Sequence, residues 1–183
     1  MPVYSVNSQQ RVATCKTSPH LRIQIFFMIQ TQVFNKSHLP TAQERNHVVR
    51  FLFTFLEEYG DTLVDIQKAI DYALMVNNTD GGLIITAREN NVLIGAAVVN
   101  KTGMEGYIPE NILVYIATHT RFRGKGVGTT LMKKIIEETE GNIALHVEHD
   151  NPAINLYRKF GFTNKYLEMR LNKKEQMHGL SHA

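Results

Sequence analysis

Arg123-Gly-Lys-Gly-Val-Gly128 closes one apolar strand, Ile112 to Thr118, and opens an amphipathic helix, and the fold is decided there. In that helix Val127, Leu131, Met132, Ile135 and Ile136 share a face, with Lys133, Lys134, Glu137 and Glu138 opposite. A second strand, Ile143 to Val147, follows. Strand, helix and strand make a βαβ unit, so these two strands are expected to be parallel with a right-handed crossover. Upstream, Leu83 to Arg88 and Val92 to Val99 form a hairpin around Glu89-Asn-Asn91, because Asn tolerates left-handed turn geometry. Before the hairpin come a strand, Ile23 to Phe34, and two helices. The first helix opens with the capping box Thr41-Ala-Gln-Glu44, buries Val48, Phe51, Leu52, Phe55 and Leu56, and stops at Gly60. The second places Leu63, Ile66, Ile70, Ala73 and Leu74 on one face and ends in Asn77-Asn-Thr-Asp-Gly-Gly82. After the βαβ unit, Pro152 to Phe160 reads as a short helix and Phe162 to Leu171 as a last strand. The expected class is α+β: a three-layer domain with a mixed, mostly antiparallel sheet and one parallel pair.

The glycine loop has a chemistry of its own. Glycines permit positive φ and close approach of a ligand, and they leave free N–H groups at the positive end of a helix dipole, which suits a pyrophosphate. From His119 to Ile136 the chain carries five basic residues (Arg121, Arg123, Lys125, Lys133 and Lys134) and no acidic one. A dinucleotide-binding fingerprint does not fit, since several elements precede the loop and no ribose-binding acid follows a second strand. A Walker loop does not fit either, because Gly124-Lys125 is followed by Gly126 rather than Ser or Thr.

A second motif follows the next strand: Asp150-Asn-Pro-Ala-Ile-Asn-Leu-Tyr-Arg-Lys-Phe-Gly-Phe162. The two stretches together resemble the GNAT superfamily of acetyl-CoA-dependent N-acetyltransferases. Arg123-Gly-Lys-Gly126-Val-Gly128 resembles its Arg/Gln-x-x-Gly-x-Gly/Ala motif. Ala153-Ile-Asn-Leu-Tyr157 with Gly161-Phe162 resembles its second motif, and the element order over residues 21 to 171 agrees.

The resemblance implies direct transfer of an acetyl group from acetyl-CoA, as co-substrate, to a primary amine in a ternary complex, on a GNAT-like acyl-CoA N-acyltransferase fold. It implies that open backbone at Ile116, Ala117 and Thr118 pairs with the pantetheine, with one N–H there polarising the thioester carbonyl. Arg123, Gly124, Lys125, Gly126, Val127, Gly128 and Thr129 would hold the pyrophosphate. Asn151 and Tyr157 would also touch the cofactor, Asn155 would touch it or face solvent, and Tyr157 would protonate the departing thiolate. Two departures stand out. Asn151 lies two residues before Ala153 instead of three, with Asp150 in the usual slot, so either the helix starts one residue late or Asp150 caps it. Ile112 occupies the position of the strand carboxylate that some members use as base. Glu110 is the nearest carboxylate and is the named candidate, one pleat away at roughly 6–7 Å. His146 and Glu148, acting through water, are the alternatives.

The rest of the sequence narrows the classes. The chain has 183 residues, 43% hydrophobic and 20% charged, suited to one domain: a residue 1–20 extension that is partly disordered or an extra strand, the domain at 21–171, and a tail at 172–183. A net charge of +3, with Phe122 the lone aromatic in the basic stretch, argues against nucleic acid. One cysteine, Cys15, excludes a disulfide framework and stands in no nucleophile motif. His146, Glu148, His149 and Asp150 match no zinc spacing, so no metal is expected. Leu21 to Phe34, interrupted by Arg22, Gln24, Gln30 and Gln32, is too short and too polar to span a bilayer, and residues 1 to 20 lack a signal-like apolar run. A cytoplasmic address with no membrane partner is expected, and a homodimer is left open. The acceptor is expected to be a small-molecule or peptide amine that meets the first two helices and their junction, around Glu57 to Asp65, and the hairpin. The rival reading is a non-catalytic CoA-binding or interaction module on the same fold.

Overall fold

The computed structural model describes residues 10–13, 25–76, 78–171 and 173. Cys15, His178 and His182 lie outside the described residues, as does most of the 1–20 extension and the tail. Strands β1 (Gln10–Ala13) and β2 (Ile25–Met28) pair antiparallel, with Gln10 opposite Met28. A five-stranded sheet holds β3 (Gln30–Phe34), β4 (Gly82–Glu89), β5 (Val92–Lys101), β6 (Asn111–Thr118) and β7 (Ile143–Leu145), in that spatial order. Its first three pairings are antiparallel and β6–β7 is parallel, the mixed arrangement expected from the sequence.

Helices α1 (Ala42–Phe55) and α2 (Leu63–Ala73) cover one face, and α3 (Val127–Glu138) with α4 (Ile154–Lys159) cover the other. The Thr41 capping box forms as read: the Glu44 N–H donates to the Thr41 hydroxyl, and the Thr41 N–H donates to the Glu44 carboxylate. Val48, Phe51, Leu52, Ile66 and Ile70 pack on Ile84, Ala96 and Val98. Leu131, Met132 and Ile135 pack on Ile85, Ala97 and Val99. β5 is central, so both its faces are buried from Leu93 to Val99.

Four readings are corrected. The strand from Ile23 to Phe34 is two strands in different sheets, divided at Ile29. The strand expected over 143–147 ends at Leu145, and the helix expected over 152–160 spans Ile154–Lys159. Phe162 to Leu171 is not a strand: alternation would line up Leu167, Met169 and Leu171, yet these remain 89%, 92% and 65% exposed. A strand needs both a ladder and a face to bury, and three-residue β7 offers too little of either.

Candidate active site

The cleft begins at a β-bulge. β6 pairs with β7 only through Asn111, Ile112 and Leu113; beyond that the two strands diverge. On the other side, Val98 faces Tyr115 and Val99 faces Leu113, so Val114 is the extra residue. The Asn111 N–H donates toward β7, to Asn142 O at 3.1 Å, while the His119 N–H donates toward β5, to Ile94 O at 2.9 Å. Alternation between these fixed ends, shifted by one at the bulge, turns the N–H and C=O groups of Ile116 and Thr118 into the gap. The end of β7 leaves an open edge facing a cavity of about 1010 Å³, and the bulge decides that Ile116 and Thr118 present it.

Beside this edge lies the glycine loop. Gly124 has φ +72° and Gly126, the N-cap of α3, has φ +86°; both belong to the left-handed region that favours glycine. The first N–H of α3 to bond back along the chain is that of Thr130, to Gly126 O at 2.9 Å. Those of Val127, Gly128 and Thr129 are left facing outward by helix geometry. Gly128 serves packing: an added Cβ would stand 3.1 Å from Leu156 Cδ2, so α3 and α4 approach closely there.

Arg123 points elsewhere. Its guanidinium donates to the Glu57 carboxylate at 3.1 Å, to Phe55 O at 3.1 Å and, through Nε, to Thr118 O at 3.4 Å. It ties the glycine loop to the C-terminal end of α1. Lys125 lies over the Phe122 ring at 5.0 Å, outside the cleft lining, and Asn155 is exposed and also outside it.

Tyr157 lines the cleft from α4 and is 8% exposed. A Schellman turn holds it. The Gly161 N–H donates to Arg158 O and the Phe162 N–H to Tyr157 O, with Gly161 at φ +86° and the Phe162 ring 6.0 Å from the Tyr157 ring. The Gly-Phe pair of the second motif is thus the C-cap that orients the tyrosine. Burial pushes the Tyr157 phenol up to about 12, so it stays protonated through the physiological range. At the other end of α4, the N-cap is Ala153, and the Asn151 side chain accepts from the Ala153 N–H at 2.8 Å in the turn that leads into the helix, while Asp150 is exposed.

Residues 44–162 match the acetyltransferase (GNAT) family. The chain belongs to the GNAT family. Solved structures agree on the fold. An aminoglycoside N-acetyltransferase, AAC(6')-Iy, in complex with CoA aligns with TM-score 0.58 at 17% identity, over 79% of this chain and 94% of that one. A predicted acetyltransferase with acetyl-CoA from Clostridium acetobutylicum gives 0.55 at 18%, over 79% and 97%. Among curated proteins, the Cysteine-rich protein 2-binding protein of Mus musculus is 29% identical over 133 residues, 72% of this chain and 14% of that protein. The Homo sapiens protein of the same name is 23% identical over 168 residues, 91% and 19%. The chain therefore spans less than a fifth of the length of these curated relatives. No helix among the described residues is long and apolar enough to cross a membrane.

Within this GNAT domain Glu110 is set apart from the other candidates. Its carboxylate accepts from the Asn142 N–H at 2.5 Å and the Gly106 N–H at 3.2 Å, and it lines a separate depression with Asp80, Lys101 and Glu140 rather than the cleft. The Asn142 N–H, then its own backbone N–H and that of Gly106, hold its carboxyl below the usual carboxylate range. A lowered folded-state value adds stability that is present above the ordinary Glu range and lost as pH falls through the folded value. Glu110→Gln is therefore expected to lower Tm at neutral pH, with the gap to wild type closing in acid; thermal scans across pH check this.

The cleft also carries carboxylates. Glu57, Glu58, Asp61, Glu148 and Glu168 all line the cleft. Asp61 accepts from the Tyr115 hydroxyl at 2.6 Å, and burial, then this carboxylate, raise the Tyr115 phenol well above its usual range. His146 lines the same cleft, 3.7 Å from Glu168. Asp65, expected there, is paired with Lys68 outside it. Sequence reasoning missed Tyr115, which in an alternating apolar strand reads as core.

Proposed function

We propose that this protein moves an acetyl group from acetyl-CoA to a primary amine by direct attack in a ternary complex. The observation that carries the reading is the open edge of β6 meeting the free N-terminus of α3, with protonated Tyr157 on the same cleft. When bound, the co-substrate supplies an activated acyl thioester. The N–H groups of Val127, Gly128 and Thr129, with those of Gly124 and Gly126, suit the two charges of a pyrophosphate, and no side chain fills the space over Gly124. The N–H and C=O groups of Ile116 and Thr118 suit an amide-bearing chain, and one N–H there can polarise the acyl carbonyl. Tyr157 is the donor for the sulfur as it departs.

Glu58, Asp61 and Glu148 favour a cationic acceptor, held as an ammonium before it loses its proton. Glu110 is outside the cleft, so His146 and Glu148, through ordered water, accept that proton in this reading. Because each can substitute for the other, His146→Ala is expected to lose tenfold or less, below the usual worth of a dedicated base. Tyr115→Phe removes the donor that orients Asp61. It is expected to raise the acceptor KM about tenfold, the worth of a hydrogen bond to a charged group, with CoA affinity unchanged. Steady-state kinetics with calorimetry separates the two parameters.

The test of the whole reading is thiol release from acetyl-CoA across a panel of primary amines. Release that depends on the amine supports it. CoA binding without release for any amine would favour the interaction module, and absence of CoA binding would overturn both.

A further inference from the structure

We infer that Arg123 and Glu57 are positioning residues that couple the glycine loop to the 56–61 segment; the inference rests on the CoA reading above. Three observations on independent elements converge. First, α1 has no basic residue in its last turn, so its C-terminal carbonyls lack the cation that the helix dipole favours. The guanidinium of Arg123, from a loop 68 residues away, donates to Phe55 O and supplies that cation. Second, the same guanidinium pairs with Glu57, whose φ of +55° lies in the left-handed region that a residue with a Cβ rarely adopts. Such a conformation persists only where its surroundings over-determine it. Here the surroundings are the Gly60 N–H bond to Glu57 O at 3.2 Å, the Tyr59 N–H bond to Leu56 O at 3.2 Å, and the Arg123 fork. Third, Arg123 directly precedes Gly124, where the outward-facing loop begins, and its Nε donates to Thr118 O at the end of the open strand.

The consequence is mechanical. A ligand that orders Gly124 to Thr129 also fixes the backbone that carries the guanidinium. The guanidinium fixes Glu57, and Glu57, Glu58, Tyr59 and Asp61 line the same cavity as the glycine loop. Occupancy of the glycine loop therefore stiffens the 56–61 segment, and by linkage the effect is reciprocal. The Phe55–His119 and His119–Phe122 ring contacts, at 4.4 and 5.5 Å, run alongside this route and keep the loop seated without the ion pair. Arg suits the role because its planar fork reaches a carboxylate and a carbonyl together, which an ammonium on a flexible stem does not.

Hydrogen–deuterium exchange of the full chain, with and without coenzyme A, tests the coupling in wild type, Glu57→Gln and Arg123→Lys. In wild type, coenzyme A is expected to slow exchange at residues 123–129 and, about tenfold, at residues 56–61, within the usual range of coupling between sites. In both variants protection at 123–129 is expected to remain while the added protection at 56–61 disappears. A purely structural role would instead raise exchange at 56–61 equally with and without coenzyme A. Wild-type protection confined to 123–129, or variants that keep the effect at 56–61, would overturn the coupling alone. Loss of protection at 123–129 in Arg123→Lys would show that the side chain serves the anion directly, which also overturns it. No protection anywhere in wild type would remove the CoA reading, and this inference with it.

Discussion

Tyr157→Phe is expected to lower the transfer rate constant by on the order of 10² or more, the usual worth of a positioned proton donor. Stability should barely change. The ring, its contact with Phe162 and the Schellman turn all survive the substitution, and burial alone, with no hydrogen bond, accounts for the raised phenol. A phenol held up at about 12 lies above a free thiol at about 8.5, so complete proton transfer to a ground-state thiolate runs uphill. The hydroxyl therefore acts first as a hydrogen-bond donor to charge developing on sulfur, and the proton follows as the bond breaks. A pH dependence follows as well: because the phenol is held up, loss of the donor form should not limit the rate until pH nears 12. Single-turnover kinetics of both proteins from pH 6 to about 10, beside thermal scans, decides the matter. Unimpaired turnover in a folded Phe variant would leave the tyrosine a packing residue.

The second large effect concerns Gly126. At φ +86° a β-branched residue is strained by about 1–3 kcal/mol, and relief of that strain would rotate the N–H groups that open α3. Gly126→Val is expected to weaken CoA binding beyond about 100-fold, since the cradle depends on backbone donors that no side chain replaces. Gly126→Ala, with a smaller side chain, should fall between, and circular dichroism establishes that both are folded. Calorimetric CoA affinity within twofold of wild type in a folded Val variant would mean that the anion does not use this turn.

Much of the architecture was legible because local signals agreed with the tertiary result. The Thr41 capping box, the 3.6-residue periodicity of Val127 to Ile135 and the Asn90-Asn91 turn each specify an element whatever its neighbours do. The same holds for the glycine loop. Positive φ at Gly124 and Gly126 is a property of residues without a Cβ, and it is visible in the sequence before any contact forms. Phe162 to Leu171 failed for the opposite reason. Alternation of apolar residues states only what a strand would present, not whether an edge exists to receive it.

The site divides along the same line. Sequence alone determined the order of elements from α1 to α4, the parallel β6–β7 pair, the glycine turn that opens α3 and the presence of Tyr157 on the helix that follows. These rest on backbone preferences and hydrophobic period, both local quantities. Only the tertiary structure decided which of those residues meet. The one-residue bulge at Val114 chooses Ile116 and Thr118 as the groups facing the gap. The bends around Asn142 and Gly106 draw Glu110 away from the cleft, because unbonded N–H groups there attract its carboxylate. Arg123 turns from the anion cradle toward Glu57 and Phe55 O, 66 and 68 residues distant in the chain, because the end of α1 presents a carboxylate and a free carbonyl together. Partners that far apart leave no mark on local pattern; they are selected by which charges and orphan backbone groups the packed layers bring within hydrogen-bond reach.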